Sequence, residues 1–178
     1  FEHEPTNEYI YTNITNRTIQ QIRQGNIENW TINIYKLFYA FRKIIDNITS
    51  LNINIYDDDI VFRIRPDLYF LEYNIQEMNT ILNSFSKNHY YFCPRYETAI
   101  ASCDWFGISS FSIFKKVYYI ENDKLYNQLI KNVWNAEDVI LFNSKKNNIK
   151  CFSLNNVIKL RLCRKFVSEN DYIIDEYK

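Results

Sequence analysis

Glycine and proline are scarce in this chain, and neither sign of charge is in excess. The 178 residues include only 2 Gly and 3 Pro, which argues against collagen-like, linker-like and many-turned all-β designs. The 21 basic residues balance the 21 acidic ones, so the formal net charge is zero. Because a dedicated nucleic-acid binder carries a basic footprint, we expect no nucleic acid among the partners.

Long apolar runs and paired cysteines are also lacking. No stretch approaches the ~20 apolar residues of a membrane-spanning helix, and no signal peptide is visible. The cysteines show no CxxC and no metal-ligand spacing; they are Cys93, Cys103, Cys151 and Cys163. We interpret them as small buried apolar residues, which favours a reducing, cytoplasmic compartment.

The remaining composition is that of a folded domain. Apolar residues make up 47% of the chain and aromatic residues 17%, enough for a substantial core. We expect a single domain over residues 1–178, with residues 168–178 as a loose polar tail. The abundance of Asn, Ile, Lys and Tyr is typical of an AT-rich genome. The chain begins at Phe1 rather than at a methionine, so a fragment of a longer protein is one interpretation.

Helical and strand-like segments alternate along the chain. Apolar residues recur every three or four positions from Glu28 to Ile48, which predicts a long amphipathic helix. Further helices are predicted over 17–24, 74–85, 111–120, 122–133 and 136–146, and a loop over 94–103. Strands are predicted at Ile60–Arg65, Tyr90–Cys93, Trp105–Ser109, Ile149–Leu154 and Val157–Cys163. This alternation indicates an α/β layer architecture.

The stretch DDDIVFRIRPDLYF, residues 57 to 70, combines acidic residues with two arginines on a predicted strand. Alternation puts Ile60, Phe62 and Ile64 on one face. It puts Arg63 and Arg65 on the other, with Asp67 if the strand continues. Since a buried guanidinium needs a partner, either an internal Arg–Asp network or a polar site at the strand end explains the pattern.

Position along the strand separates the two acidic groups. Ligands of open α/β sheets bind beyond the carboxyl ends of strands, and Asp67 lies at that end. Asp57–Asp59 precede the strand and are separated from Asp67 by about 25 Å. We therefore predict that Asp67 belongs to the site and that the triple acid is a solvated turn.

Four blocks, in this order, resemble a family of nucleotide-sugar glycosyltransferase-like domains. The blocks are FRIRPDLYF, CDWFGISSFSIF, NAEDVILF and KNNIKCFSLNNVIKLRLCR. The positions that carry the resemblance are Arg63, Arg65, Pro66, Asp67, Leu68, Asp104, Phe106, Ile108, Ser110, Glu137 and Arg164. The family has the glycosyltransferase-A architecture, so the resemblance implies a Rossmann-like central sheet flanked by helices.

The resemblance implies transfer of a sugar from a nucleoside-diphosphate-sugar donor to a hydroxyl of a glycan or other acceptor. Asp67 would lie near the diphosphate, often through Mn²⁺ or Mg²⁺, and Arg63 and Arg65 would orient Asp67 or neutralise the diphosphate. Glu137 or Asp138 would act as general base or bind the acceptor, in one cleft with Asp104. The alternative for Glu137 and Asp138 is stabilisation of a helix start; for Asp104 it is a loop cap.

Three departures from the family pattern leave a second function open. Ser109 stands where the family has glycine, and Arg65 replaces the first acid of a two-Asp motif. Little precedes residue 30 that would form the βαβ unit that grips the nucleotide. Either that part lies upstream of this chain, or donor binding has been lost. In the second case the protein is a catalytically inactive binding or assembly module.

Overall fold

We describe a computed structural model of the chain. It describes residues 5–6, 9–10, 27–65, 68–93, 106–130, 136–154, 156–165 and 172–174. The chain divides into two compact units. The first unit comprises Phe1–Ile55 and Lys115–Asn143, and the second comprises Tyr56–Phe114 and Ser144–Lys178. The expected α/β character is confirmed, since helices and strands both recur along the chain.

The helices are α1 (Ile27–Ser50), α2 (Ile75–Asn83), α3 (Phe111–Tyr118), α4 (Asp123–Ile130) and α5 (Ala136–Lys146). The strands are β1 (Ile60–Ile64), β2 (Leu68–Tyr73), β3 (His89–Phe92), β4 (Phe106–Ser110), β5 (Lys150–Ser153), β6 (Ile158–Lys165) and β7 (Tyr172–Ile174). All five predicted strands and the predicted helices within the described residues are confirmed. The predicted helix over 17–24 and loop over 94–103 lie outside the described residues.

Two strands were not expected from the sequence. β1 ends at Ile64, and β2, which begins at Leu68, pairs with β6 instead of continuing the sheet of β1. β7 lies in the tail that we expected to be loose, and it pairs with Cys163–Lys165 of β6. Tyr172–Ile174 are the part of that tail that the structure describes, and the expectation for residues 168–178 as a whole stays a prediction.

The first unit is held by an aromatic face on α1. Phe38 and Phe41 contact Tyr118 of α3, with ring centroids 6.3 and 4.5 Å apart, and Tyr35 meets Tyr126 of α4 edge-on at 4.9 Å. These side chains follow the three- and four-residue steps that predicted the helix.

Among the helices that the structure describes, none combines the length and the apolar character that a membrane span requires.

Asp123, at the start of α4, collects three donors within the first unit. Tyr35 Oη donates to Oδ1 over 3.0 Å, Arg42 Nη1 donates to the same oxygen over 3.1 Å, and Tyr9 Oη donates to Oδ2 over 3.2 Å. Burial, and after it the hydrogen bond to Asp123, raises the pKa of Tyr35 well above its usual value, so the hydroxyl stays protonated and donates. Asp123 thereby links α4 to α1.

The second unit contains a four-stranded mixed sheet in the order β1-β4-β3-β5. β4 runs antiparallel to both of its neighbours, and β3 and β5 are parallel. β1, β3 and β5 therefore run in one direction, with β4 reversed between them. Mixed sheets of this kind are common in large α/β sheets, although a doubly wound sheet has mainly parallel neighbours.

A second, antiparallel sheet in the order β2-β6-β7 belongs to the same unit. Its strand β2 is interrupted by a register shift between Phe70 and Glu72. The core of this unit includes Met78, Tyr91, Phe106, Ile108, Leu154 and Ile158. It is completed by α2, which Asn74 caps by accepting a 3.1 Å hydrogen bond from the Glu77 amide, as its sequence predicts.

Replacing Asp123 by alanine should lower the free energy of unfolding by about 2 kcal/mol, because three donors lose a charged acceptor. Urea unfolding monitored by circular dichroism measures the change. Asp46→Ala is the matched control, because Asp46 accepts one exposed hydrogen bond, from Tyr119 Oη at 2.9 Å. Its cost should stay below about 1 kcal/mol. Equal costs for the two variants would refute a linking role for Asp123.

Candidate functional site

The carboxyl end of β1 and the amino end of β4 meet at one edge of the mixed sheet. Ile64, the last residue of β1, pairs with Phe106, the first residue of β4. Phe92, at the end of β3, pairs with Gly107 of β4 and with Ser153 at the end of β5. The carboxyl ends of β1, β3 and β5 and the amino end of β4 thus share this edge, which we call the carboxyl edge.

The predicted acids of the site adjoin the carboxyl edge in sequence. Asp67 follows Ile64 by three residues, and Asp104 precedes Phe106 by two. Both acids lie outside the described residues, so their predicted common cleft stays a prediction. The strand ends that precede Asp67 and follow Asp104 are directly paired.

The predicted division of β1 into two faces is confirmed. Arg63 is buried, with 8% of its surface exposed, and Arg65 is partly buried. Ile60, Phe62 and Ile64 lie on the opposite face, where they are 40%, 46% and 50% exposed. The strand thus buries its cationic face and exposes its apolar face, which alternation alone did not predict.

A glycine makes room on the buried face that carries Arg63. Arg63 pairs with Gly107, and directly paired residues project to the same face. The ring of Tyr90 crosses the position where a Gly107 side chain would lie: a Cβ there would be 2.5 Å from Tyr90 Oη and 2.9 Å from Cε2. Gly107 thus lets the fully buried Tyr90 ring cover the middle of β4.

The acidic triplet Asp57–Asp59 forms an exposed turn, as predicted. Its backbone carbonyls also accept hydrogen bonds from the first turn of α3. The Phe111 amide donates to the Asp59 carbonyl over 2.8 Å, and the Ser112 amide donates to the Asp57 carbonyl over 3.0 Å. Asp58 makes an exposed ion pair with Lys87. These contacts give the triplet a structural role at the edge opposite the carboxyl edge.

Glu137 and Asp138 occupy the first turn of α5, where both are partly buried. Acids at this position are favoured by the helix dipole, which agrees with the alternative interpretation that the sequence left open. They belong to the first unit, whereas Arg63 and Arg65 belong to the second. Their predicted catalytic role stays a prediction. Arg164 lies on β6, paired with Ile173 of β7.

Sequence reasoning missed an apolar groove that begins at the carboxyl edge. The groove has a volume of about 410 Å³ and is lined by Phe62, Ile64, Phe70, Tyr73, Met78 and Phe106. The rings of Phe70 and Phe106 meet edge-on at 6.0 Å. The available signal is the group of aromatic residues that follows Pro66, namely Tyr69, Phe70 and Tyr73.

His89 begins β3 and Cys93 directly follows that strand, and both are packed within the second unit. Burial raises the pKa of the Cys93 thiol to about 11, so the thiol is protonated near neutral pH. His89 Nδ1 lies 3.1 Å from Tyr91 Oη within an aromatic cluster that includes Phe152. Among the described residues, no group of three His, Cys, Asp or Glu side chains is arranged to hold a metal ion.

The chain was compared with protein families, curated proteins and solved structures. The chain matches no family model, no curated protein and no solved structure. The resemblance to glycosyltransferase-like domains therefore depends on the sequence blocks alone.

Gly107→Ala should destabilise the protein by about 2 kcal/mol, because the added methyl group overpacks against Tyr90. In a Tyr90→Phe background the same substitution should cost less, because the nearest atom, Tyr90 Oη, is gone. A double-mutant cycle by urea unfolding measures this coupling. Ser110→Ala, also on β4 and buried but on the opposite face of the strand, is the control and should show no coupling to Tyr90→Phe. An equal cost of Gly107→Ala in both backgrounds would contradict the contact.

Proposed function

We propose that the protein is a glycosyltransferase that transfers a sugar from a nucleoside-diphosphate-sugar donor to a hydroxyl acceptor, on a glycosyltransferase-A type fold. The observation that carries the proposal is the pairing of Ile64 with Phe106. It joins the two sequence blocks that resemble this family, so the segments carrying Asp67 and Asp104 extend from neighbouring strands at one sheet edge. Ligands of α/β sheets bind at such edges.

Arg63 of β1 and Arg65, which directly follows it, carry positive charge that suits the negative charge this reaction develops on the diphosphate. The acceptor oxygen forms a bond to the anomeric carbon, the bond from that carbon to the diphosphate oxygen breaks, and its electron pair remains on the diphosphate. A guanidinium group is well shaped to bind such an anion. Arg65, which directly follows β1 and is partly buried, is the candidate for this contact. Arg63, which is buried beside Gly107, is the candidate for orienting the strand end.

The proton of the acceptor hydroxyl needs a base, and the candidates are Glu137 and Asp138, with Asp104 as a further acid of the site. In the family pattern Asp67 contacts the diphosphate, often through Mn²⁺ or Mg²⁺, which oxygen ligands favour. Such a metal would stabilise the leaving diphosphate. Donor binding is therefore tested with and without Mn²⁺.

Asp67→Asn should weaken donor binding at least about tenfold, equivalent to about 1.4 kcal/mol, because it removes the carboxylate charge from the diphosphate site. A panel of nucleoside-diphosphate sugars is screened by isothermal titration calorimetry, with and without Mn²⁺. Any donor that binds the wild type is then titrated into the variant.

Asp58→Asn is the matched control for this experiment. It makes the same chemical change in the exposed turn at the opposite edge of the sheet, where Asp58 pairs with Lys87 on the surface. Its donor affinity should stay within about twofold of the wild type, since exposed ion pairs contribute little. Failure of every donor to bind would favour the inactive binding or assembly module instead.

A further inference from the structure

The apolar groove has different surroundings at its two ends. One end lies at the carboxyl edge, where Ile64 and Phe106 line it and Arg65 follows in sequence. The other end is formed by Tyr73, which also lines a second, polar groove of about 590 Å³. The remaining residues of that second groove are Glu72, Asn74, Ile75, Gln76, Asn156, Val157, Ile158 and Lys159. The two grooves therefore adjoin at Tyr73.

The lining of the apolar groove selects a hydrocarbon occupant. Four of its six residues are aromatic, and the other two are Ile64 and Met78. Phe62, Ile64 and Phe70 are 46%, 50% and 43% exposed, so an occupant would remove substantial apolar surface from water. A volume of about 410 Å³ lies within the range of small-molecule sites.

The polar surroundings at both ends limit the length of that occupant. β2 spans about 10 Å between Phe70 and Tyr73, and the residues that follow Tyr73 in the second groove include Asn74 and Gln76. A hydrocarbon chain that extended past Tyr73 would meet these polar side chains. The groove therefore fits a short apolar group attached to a polar one, instead of a long apolar surface.

We propose that the apolar groove binds the hydrocarbon part of an amphiphilic acceptor, with the hydroxyl-bearing head group at the carboxyl edge. The assignment of this ligand as the acceptor rests on the proposed transferase function. The ligand class itself follows from the groove. Alkyl glycosides are simple members of this class, because they join a sugar to an alkyl chain of chosen length.

The test measures binding of methyl, hexyl, octyl and dodecyl β-glucosides to the full chain, each below its micelle concentration and without donor. Isothermal titration calorimetry should show at least about tenfold tighter binding of octyl than of methyl glucoside. Dodecyl glucoside should gain no more than about twofold over octyl, because its longer chain passes Tyr73. Equal affinity for methyl and octyl glucoside would overturn the proposal. So would octanol binding as tightly as octyl glucoside, since the head group would then contribute nothing.

Phe70→Ser and Leu71→Ser locate the binding. The two residues are neighbours on β2 and are similarly exposed, at 43% and 46%, but only Phe70 lines the groove. Phe70→Ser should weaken octyl glucoside binding at least about fivefold and leave methyl glucoside unchanged, whereas Leu71→Ser should change neither. Phe62→Ser provides an independent loss at a second lining position, and thermal unfolding confirms that each variant is folded. Equal effects of Phe70→Ser and Leu71→Ser would overturn the proposal.

The outcomes separate this inference from the proposed function. If a donor binds and sugar is transferred equally well to methyl and octyl glucoside, the transferase function stands and the amphiphilic acceptor is refuted. If chain-length-dependent binding maps to Phe70 while no donor binds, the ligand class is confirmed and its role as an acceptor is refuted.

Discussion

The antiparallel ladder between β1 and β4 is the constraint on which the second unit depends. At one end it pairs Ile64 with Phe106 and forms the carboxyl edge. At the other it pairs Ile60 with Ser110, whose hydroxyl accepts from the Ile113 amide over 3.3 Å at the start of α3. The carbonyls of the preceding acidic turn satisfy two more amides of that helix. One regular ladder therefore fixes both the candidate site and the helix that follows it.

The orientation of β1 within this ladder has an energetic consequence. Burying Arg63 removes a guanidinium from water, which is costly unless its environment compensates. Exposing Phe62 and Ile64 instead gives up hydrophobic stabilisation of about 25 cal/mol per Å². The strand thus gives up hydrophobic stabilisation on its exposed face. Such departures from the usual pattern are expected where a strand serves a binding site, and a ligand in the apolar groove would recover part of the lost stabilisation.

Local patterns predicted the helices and most of the strands well, whereas the pairing of the strands into sheets could not be predicted from them. The spacing of Phe38, Phe41 and Ile45 predicted α1, and Asn74 predicted the start of α2, because these signals lie within a few residues. The sequence does not predict β2, because a proline at position 66 indicates the end of a strand, whereas the chain enters a different sheet at Leu68. The reversal of β4 between β1 and β3 depends on residues far apart in sequence, which periodicity does not report.

Because local patterns carry no information on long-range packing, only part of the candidate site was predictable. Alternation identifies the residues of β1 that share a face, but the covered face is decided by packing, and here packing covers Arg63 and leaves Phe62 exposed. Strand direction was more informative than the number of acids, because it separated Asp67 from the triplet Asp57–Asp59. The backbone of that triplet holds α3, so its position is already explained by structure. Asp67 lies outside the described residues, and because the resemblance assigns it to the diphosphate, its substitution is the most direct test of the proposed transferase.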